Sequence, residues 1–178
     1  LVLAEVSDRV VQIDGVGDAR AIWLEVPRFA SKTRVHNTGL LILGVYAPQV
    51  GHPTEDRRRF WKQRCAEYGK LRSRPRYAGW EVLVAGDFNV HFGYLCEANR
   101  RYERALDREV LGMIRESSGF GCVVGNPQGQ RTHTSGTVID IAAASCHINV
   151  QVVLGTAAGL SSDHGRLDIT VQGGVQAS

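Results

Sequence analysis

The sequence predicts a single α/β domain built in layers. Three observations carry that expectation. Short runs rich in Val, Ile and Leu recur from one end to the other. Two segments between them carry apolar residues at helical spacing instead. No internal repeat, low-complexity stretch or linker interrupts the alternation. Elements that alternate in this way bury their apolar faces by stacking sheet on helix or sheet on sheet.

The elements follow in order. Positions 1–6, 10–13 and 21–26 read as strands, and 40–46 is a near-continuous apolar run of the kind buried on both faces. Segment 54–71 switches to a helical period, with Phe60 or Trp61, Cys65, Tyr68 and Leu71 forming its stripe. Thr54 is the expected N-cap, and Glu55 and Asp56 suit the positive end of that helix. A strand at 81–85 comes next. A second helix is expected over 99–116, with Tyr102, Leu106, Val110 and Met113 or Ile114 on one face. Residues 117–121 close it, with glycine where a helix end favours a left-handed residue. Strands at 122–124, 138–143, 148–154 and 167–171 complete one domain over 1–172, and 173–178 is expected to fray.

With 178 residues, 43% of them hydrophobic, the chain is long enough for one sizeable core. Cys65, Cys96, Cys122 and Cys146 lie far apart with no C-x-x-C pair, which points to reduced thiols in an intracellular protein rather than to disulfides or a zinc knuckle. No stretch is long and apolar enough for a membrane span, and no leader pattern is visible. The net charge of +3 is unevenly spread: residues 57–76 hold nine Lys or Arg against Glu67 alone, so this segment is +8 and the rest −5. Such a concentration attracts polyanions, and it is also what a solvated helix face looks like.

The polar residues that punctuate the strands carry the functional information. Tyr46 ends "GLLILGVY", and Asp87 and Asn89 follow "EVLVAG". Gly, Asp and Asn are ordinary turn residues, but loops at the carboxyl ends of core strands also carry catalytic groups. Asp163 and His164 precede the last strand, where a surface loop is the plain alternative. Asp140 is harder to dismiss, because it interrupts the apolar run "TVIDIAAA". A buried carboxylate needs a partner, and an imidazole is a natural one.

Taken together, "GVYAPQ", "VAGDFNVH", "RTHTSGTVIDIAAAS" and "LSSDHGRLDITV" resemble the endonuclease/exonuclease/phosphatase superfamily, and their wording is most like that of non-LTR retrotransposon endonucleases. The resemblance spans about residues 40–171. It implies a deoxyribonuclease I-like sandwich of two packed mixed sheets flanked by helices, here missing its first strands. It also implies metal-dependent hydrolysis of phosphodiesters, with nicking of DNA as the reaction. By this resemblance Asp87 activates or orients water, Asn89 and Tyr46 hold the scissile phosphate, and His164 bonds a phosphate oxygen in the transition state. Asp140 orients His164, Asp163 helps to hold Mg²⁺ or Mn²⁺, and Arg57, Arg58 and Arg59 are candidates to contact the DNA. A nuclear location and fusion to a reverse transcriptase follow for a retroelement enzyme.

Two departures accompany the resemblance. The family's upstream asparagine motif and metal-binding glutamate have no match, because Glu5 is the only acid near the start and does not sit in that context. The sequence therefore reads as truncated at its N-terminus, with weak Mg²⁺ binding expected. His133 stands where the family often has an aromatic residue, so it and His91 read as bystanders. No nucleophile elbow supports a triad of Ser161 or Ser162 with His164. A small or lipid phosphoester as substrate, or a remnant that binds nucleic acid without catalysis, are the alternative functions.

Overall fold

The computed structural model describes residues 10–29, 38–155 and 163–173. The expected strand at 1–6, Glu5, Ser161, Ser162 and the tail 174–178 lie outside the described residues. Eight strands are described: β1 (Val11–Gln12), β2 (Ala21–Phe29), β3 (Thr38–Tyr46), β4 (Glu81–Asp87), β5 (Cys122–Val124), β6 (Asp140–Ser145), β7 (Ile148–Gly155) and β8 (Arg166–Gly173). The first six form one mixed sheet in the order β1-β2-β3-β4-β6-β5, in which only the β3–β4 pairing is parallel. β7 and β8 form a second, antiparallel sheet. This is the expected layered α/β architecture.

Three α-helices connect the strands: α1 (Thr54–Arg72), α2 (Glu97–Tyr102) and α3 (Ala105–Arg115). Side chains alternate across the central strands and so build two cores. Leu41, Leu43, Val82, Val84, Ile141 and Ala143 pack with Trp61, Leu71, Val110 and Ile114 of α1 and α3. The intervening Leu40, Ile42, Leu83, Ala85, Ala142 and Ala144 pack instead against Ile148 and Val152 of the second sheet. The central sheet is therefore covered on both faces, which is why its strands read as unbroken apolar runs.

The helices depart from expectation in three ways. Pro53, not Thr54, occupies the cap of α1, where no side chain bonds the backbone; the Pro53 carbonyl accepts from the Asp56 and Arg57 amides instead. The expected helix at 99–116 is two helices, because Arg104 is extended and its amide donates to the Asp107 carboxylate at 2.9 Å, starting a fresh capping box. Asn99 fixes the shorter one by donating to the Phe92 and Val138 carbonyls at 3.3 and 2.8 Å while buried. Tyr102, expected on the apolar face, is exposed.

The arginines of α1 are not uniformly solvated. Arg64 is fully buried, stacked over Phe60 and paired with Asp18 at 3.1 Å and Glu67 at 2.9 Å. Arg57, expected to face nucleic acid, is only 3% exposed: it lies 3.6 Å from buried Asp107 and donates to the Asn89 carbonyl at 2.7 Å. It is a strut inside the molecule and is out of reach of a polyanion. Arg58 is held by Glu55 and Glu109, and Arg59 is the most solvent-exposed of the three. Removing one partner of a buried ion pair strands the other charge. Arg57→Gln is therefore expected to destabilise the domain by about 3–5 kcal/mol, and Arg59→Gln by less than about 0.5 kcal/mol. Urea unfolding of both variants measures this, and equal stabilities would contradict the buried role.

Candidate active site

The edge of the central sheet that faces the second sheet ends in a row of polar residues. Tyr46 of β3 pairs in register with Asp87 of β4, and Asp87 pairs with Asp140 of β6. Residues directly opposite one another share a face. By the same alternation all three continue the face that packs on β7 and β8. Tyr46 and Asp87 end their strands, and Asp140 opens its own.

Asp87 reaches that position because of Gly86. This glycine has φ +137°, and a Cβ there would stand 2.1 Å from the Val45 carbonyl oxygen, so only glycine lets β4 run against β3 to its last residue. The chain then turns at Asn89, a left-handed residue with φ +49°, which asparagine tolerates better than most. Three bonds fix the turn. The Asn89 amide donates to Asp87 Oδ1 at 3.0 Å, its Nδ2 donates to the Ala47 carbonyl at 2.8 Å, and its carbonyl takes the Arg57 guanidinium. Asn89 is 8% exposed. Its amide thus ties the ends of β3 and β4 together rather than facing the cleft, which corrects the expectation that it holds the scissile phosphate.

Asp140 is held through its backbone by residues the sequence did not single out. Its amide and that of Ile139 donate to Thr132 Oγ1 at 3.1 Å, and its carbonyl accepts from Asn126 Nδ2 at 2.9 Å. Its carboxylate is left for His164, whose Nδ1 lies 3.1 and 3.0 Å from the two oxygens. An ionised carboxylate only accepts, so Nδ1 carries a proton and Nε2 points away from Asp140. Nε2 faces Asp87 Oδ2 at 3.9 Å and Asp163 Oδ1 at 3.8 Å. These gaps are too long for direct hydrogen bonds, but one oxygen atom set between Nε2 and Asp87 bonds to both.

The charges are tuned to match. Burial pushes the Asp87 carboxyl above its usual range, and the neighbouring Asp140 adds to this against the Asn89 amide. Burial also pulls the His164 imidazole down, but the Asp140 hydrogen bond and the charges of Asp140, Asp87 and Asp163 outweigh it, so its pKa is raised. The site therefore pairs a carboxylate that accepts a proton more readily than usual with an imidazole that keeps one. A raised Asp87 pKa means that the ionised form costs stability above that pKa, and that the cost fades as pH falls through it. Asp87→Asn is accordingly expected to melt above the wild type at pH 8, with the gap closing toward pH 4. An asparagine variant that melts lower at pH 8 would contradict this.

His133, expected to be a bystander, belongs to the site. It bridges His164 across an antiparallel backbone contact with ring centres 4.9 Å apart, and its Nε2 lies 3.2 Å from Asp163 Oδ2. Asp163 is exposed, and its own backbone amide, then His133, hold its carboxyl below the usual range. Tyr46 is half-exposed; its hydroxyl accepts from Gln49 Nε2 at 3.2 Å, which leaves its proton for a ligand. Arg20 stacks over the Tyr46 ring at 5.6 Å. Hollows of about 710 and 280 Å³ flank Asp87 and His164, the larger lined by Asp18, Arg20 and Tyr46, the smaller by Arg131, His133 and Asp163.

A family-implied Mg²⁺ can be tested against the donors present. Among the described residues, the cluster able to hold a cation is His133, Asp163 and His164, with ligand atoms within 4.8 Å of one another. One carboxylate and two imidazoles are not the oxygen-rich octahedral set that Mg²⁺ takes. The described residues do not fit that ion.

No family model and no curated protein sequence matches the chain. Solved structures do. The chain is similar to the Haemophilus ducreyi cytolethal distending toxin (TM-score 0.51, 16% identity, 94% of this chain and 60% of that one). It is similar to the human Nocturnin catalytic domain with bound sulfate anion (0.50, 17%, 93% and 62%). An endonuclease/exonuclease/phosphatase from Beutenbergia cavernae matches with TM-score 0.55 at 15% identity over 89% of this chain and 41% of that one. The chain thus spans less than two thirds of the length of each. What is shared at such identities is the fold, the layered α/β sandwich of the endonuclease/exonuclease/phosphatase proteins.

Proposed function

We propose that this chain hydrolyses phosphodiesters, and that its substrate is DNA, nicked endonucleolytically. The observation that carries the reading is the row Tyr46–Asp87–Asp140 with His164 laid across it, Nδ1 on Asp140 and Nε2 aimed at Asp87. A turn or a structural ion pair has no use for a proton-accepting carboxylate and a proton-holding imidazole facing the same gap. Hydrolysis of a phosphodiester needs both: a group to take a proton from water, and a donor for charge developing on phosphate oxygens.

In this reading Asp87 accepts the proton of the attacking water. His164 donates from Nε2 to a phosphate oxygen while Asp140 keeps its ring oriented and protonated. The Tyr46 hydroxyl donates to the same phosphate, and Arg20 and Arg131, one on either side, attract the flanking phosphates. Asn89 and Arg57 hold the turn on which Asp87 rides. Origin in a retroelement polyprotein alongside a reverse transcriptase rests on the "VYAP" and "GDFNVH" wording, and with it a nuclear location; a divalent ion such as Mg²⁺ or Mn²⁺ would need oxygen ligands beyond the described residues.

Conversion of supercoiled plasmid to open circles, with Mg²⁺ or Mn²⁺ supplied, tests the reading. Nicking that His164→Ala abolishes supports it. Turnover of inositol phosphates without nicking would move the substrate to a small phosphoester, and DNA binding without hydrolysis would make the chain a binding module.

A further inference from the structure

We infer that His133, Asp163 and His164 form a binding site for a borderline divalent transition metal, of which Zn²⁺ is the type, sharing His164 with the phosphodiester site. Its inhibitory consequence rests on the function proposed above; the site itself does not. The donor set is the first argument. Two imidazoles and one carboxylate with an open position are what Zn²⁺ takes and what Mg²⁺ avoids. Spacing is the second. Ligand bonds of about 2.0–2.2 Å around a tetrahedron put ligand atoms about 3.3 Å apart. Here His133 Nε2 lies 3.2 Å from one Asp163 oxygen and His164 Nε2 lies 3.8 Å from the other, and one ligand atom from each of the three residues falls within 4.8 Å of the rest, so a small closure brings them to that spacing.

The third argument is the outer contacts. A metal-bound imidazole normally hands its other nitrogen's proton to a fixed acceptor. His164 Nδ1 has Asp140, and His133 Nδ1 has Ser135 Oγ at 2.7 Å, itself held by Thr137 Oγ1 at 2.9 Å. Without metal, the Ser135 amide faces His133 Nδ1 and Nε2–H serves Asp163. On binding, the His133 proton moves to Nδ1, which then donates a hydrogen bond to Ser135 Oγ while the Ser135 amide gives up Nδ1 as its acceptor, and any proton on His164 Nε2 leaves to solvent. The two loops are already locked together, since Thr134 N donates to the Asp163 carbonyl at 2.9 Å and Gly165 N to the Thr132 carbonyl at 2.6 Å. The smaller hollow gives the ion its entrance and a water its ligand position.

With His164 Nε2 on a metal, the donor to the phosphate oxygen is gone, so Zn²⁺ inhibits hydrolysis. The test is calorimetric titration with ZnCl₂ of the full chain carrying Cys146→Ser, since exposed Cys146 beside His147 is an adventitious thiol site. One site is expected, weakened at least tenfold by His133→Ala and unchanged by His147→Gln. Long-range imidazole nitrogen spectra of the chain with His133 intact give a readout that does not depend on a variant folding. Zn²⁺ should shift the Nε2 signals of His133 and His164 and leave His91 and His52 in place. Unchanged affinity in His133→Ala, or unmoved His133 and His164 signals, overturns the site. Zn²⁺ binding through His133 in a chain that hydrolyses nothing would sink the proposed function and leave this site standing. Hydrolysis undiminished at saturating Zn²⁺ would overturn the sharing of His164.

Discussion

His164→Ala is expected to lower phosphodiester hydrolysis by about 10²- to 10⁴-fold, the range for loss of a positioned proton donor, with little change in melting temperature. The two effects separate because of where the residue sits. Its side chain is 30% exposed at the mouth of the site, so truncation removes little packed area. What it removes is the Nε2 donor opposite Asp87. His133 is the nearest imidazole, but its Nε2 is spent on Asp163 at 3.2 Å. Steady-state rates on a phosphodiester, with a thermal melt as control, measure both quantities. A variant that unfolds would show His164 to be structural; one with full activity would remove it from the chemistry.

Asp140→Asn is expected to act through His164 and to announce itself in the pH profile. Loss of a carboxylate that orients an imidazole typically costs about 10–100-fold in activity. The distinguishing sign is the pH limb. In the proposed mechanism His164 donates a proton, so activity falls as pH rises through its pKa, and Asp140 is among the groups that raise that pKa. Removing the charge therefore moves the alkaline fall to lower pH. An asparagine that merely loosened the fold would lower the rate without moving the limb. Asp140→Ala should cost about 1–3 kcal/mol of stability as well, because the inward Nδ1–H of His164 loses its acceptor.

How far these groups were legible in the sequence depended on how far away their partners lay. The runs at 40–46 and 81–85 read correctly as strands because both faces of β3 and β4 are buried, so that apart from Glu81 at one end and Tyr46 at the other few polar positions confuse the period. Asp140 was conspicuous for the same reason: a carboxylate inside such a run demands a partner. Arg57 was read as a candidate to contact DNA, and the basic segment as a polyanion-attracting or solvated face, because a pattern of apolar and polar residues cannot tell an exposed arginine from a buried, paired one such as Arg57 or Arg64. Their partners are brought in by folding, Asn89 from 32 residues away and Asp18 from the turn before β2. Asn89 looked like a ligand-binding amide because its sequence neighbours did; only the pairing of β3 with β4 brings the Ala47 carbonyl within 2.8 Å. The anchoring of α2 was hidden likewise, since Asn99 is claimed by Val138 from 39 residues away. His133 meets Asp163 across 30 residues, and nothing local marks it.

The central claim is that Tyr46, Asp87, Asp140 and His164 form one hydrolytic site. Its most direct measurement is the rate at which the chain and its His164→Ala variant hydrolyse bis(p-nitrophenyl) phosphate, whose good leaving group lessens the need for a metal. The account predicts turnover that is slow in absolute terms but at least about 100-fold faster in the wild type, declining as pH rises through the His164 pKa. Equal rates in the two proteins, or no turnover above the protein-free reaction, would contradict it.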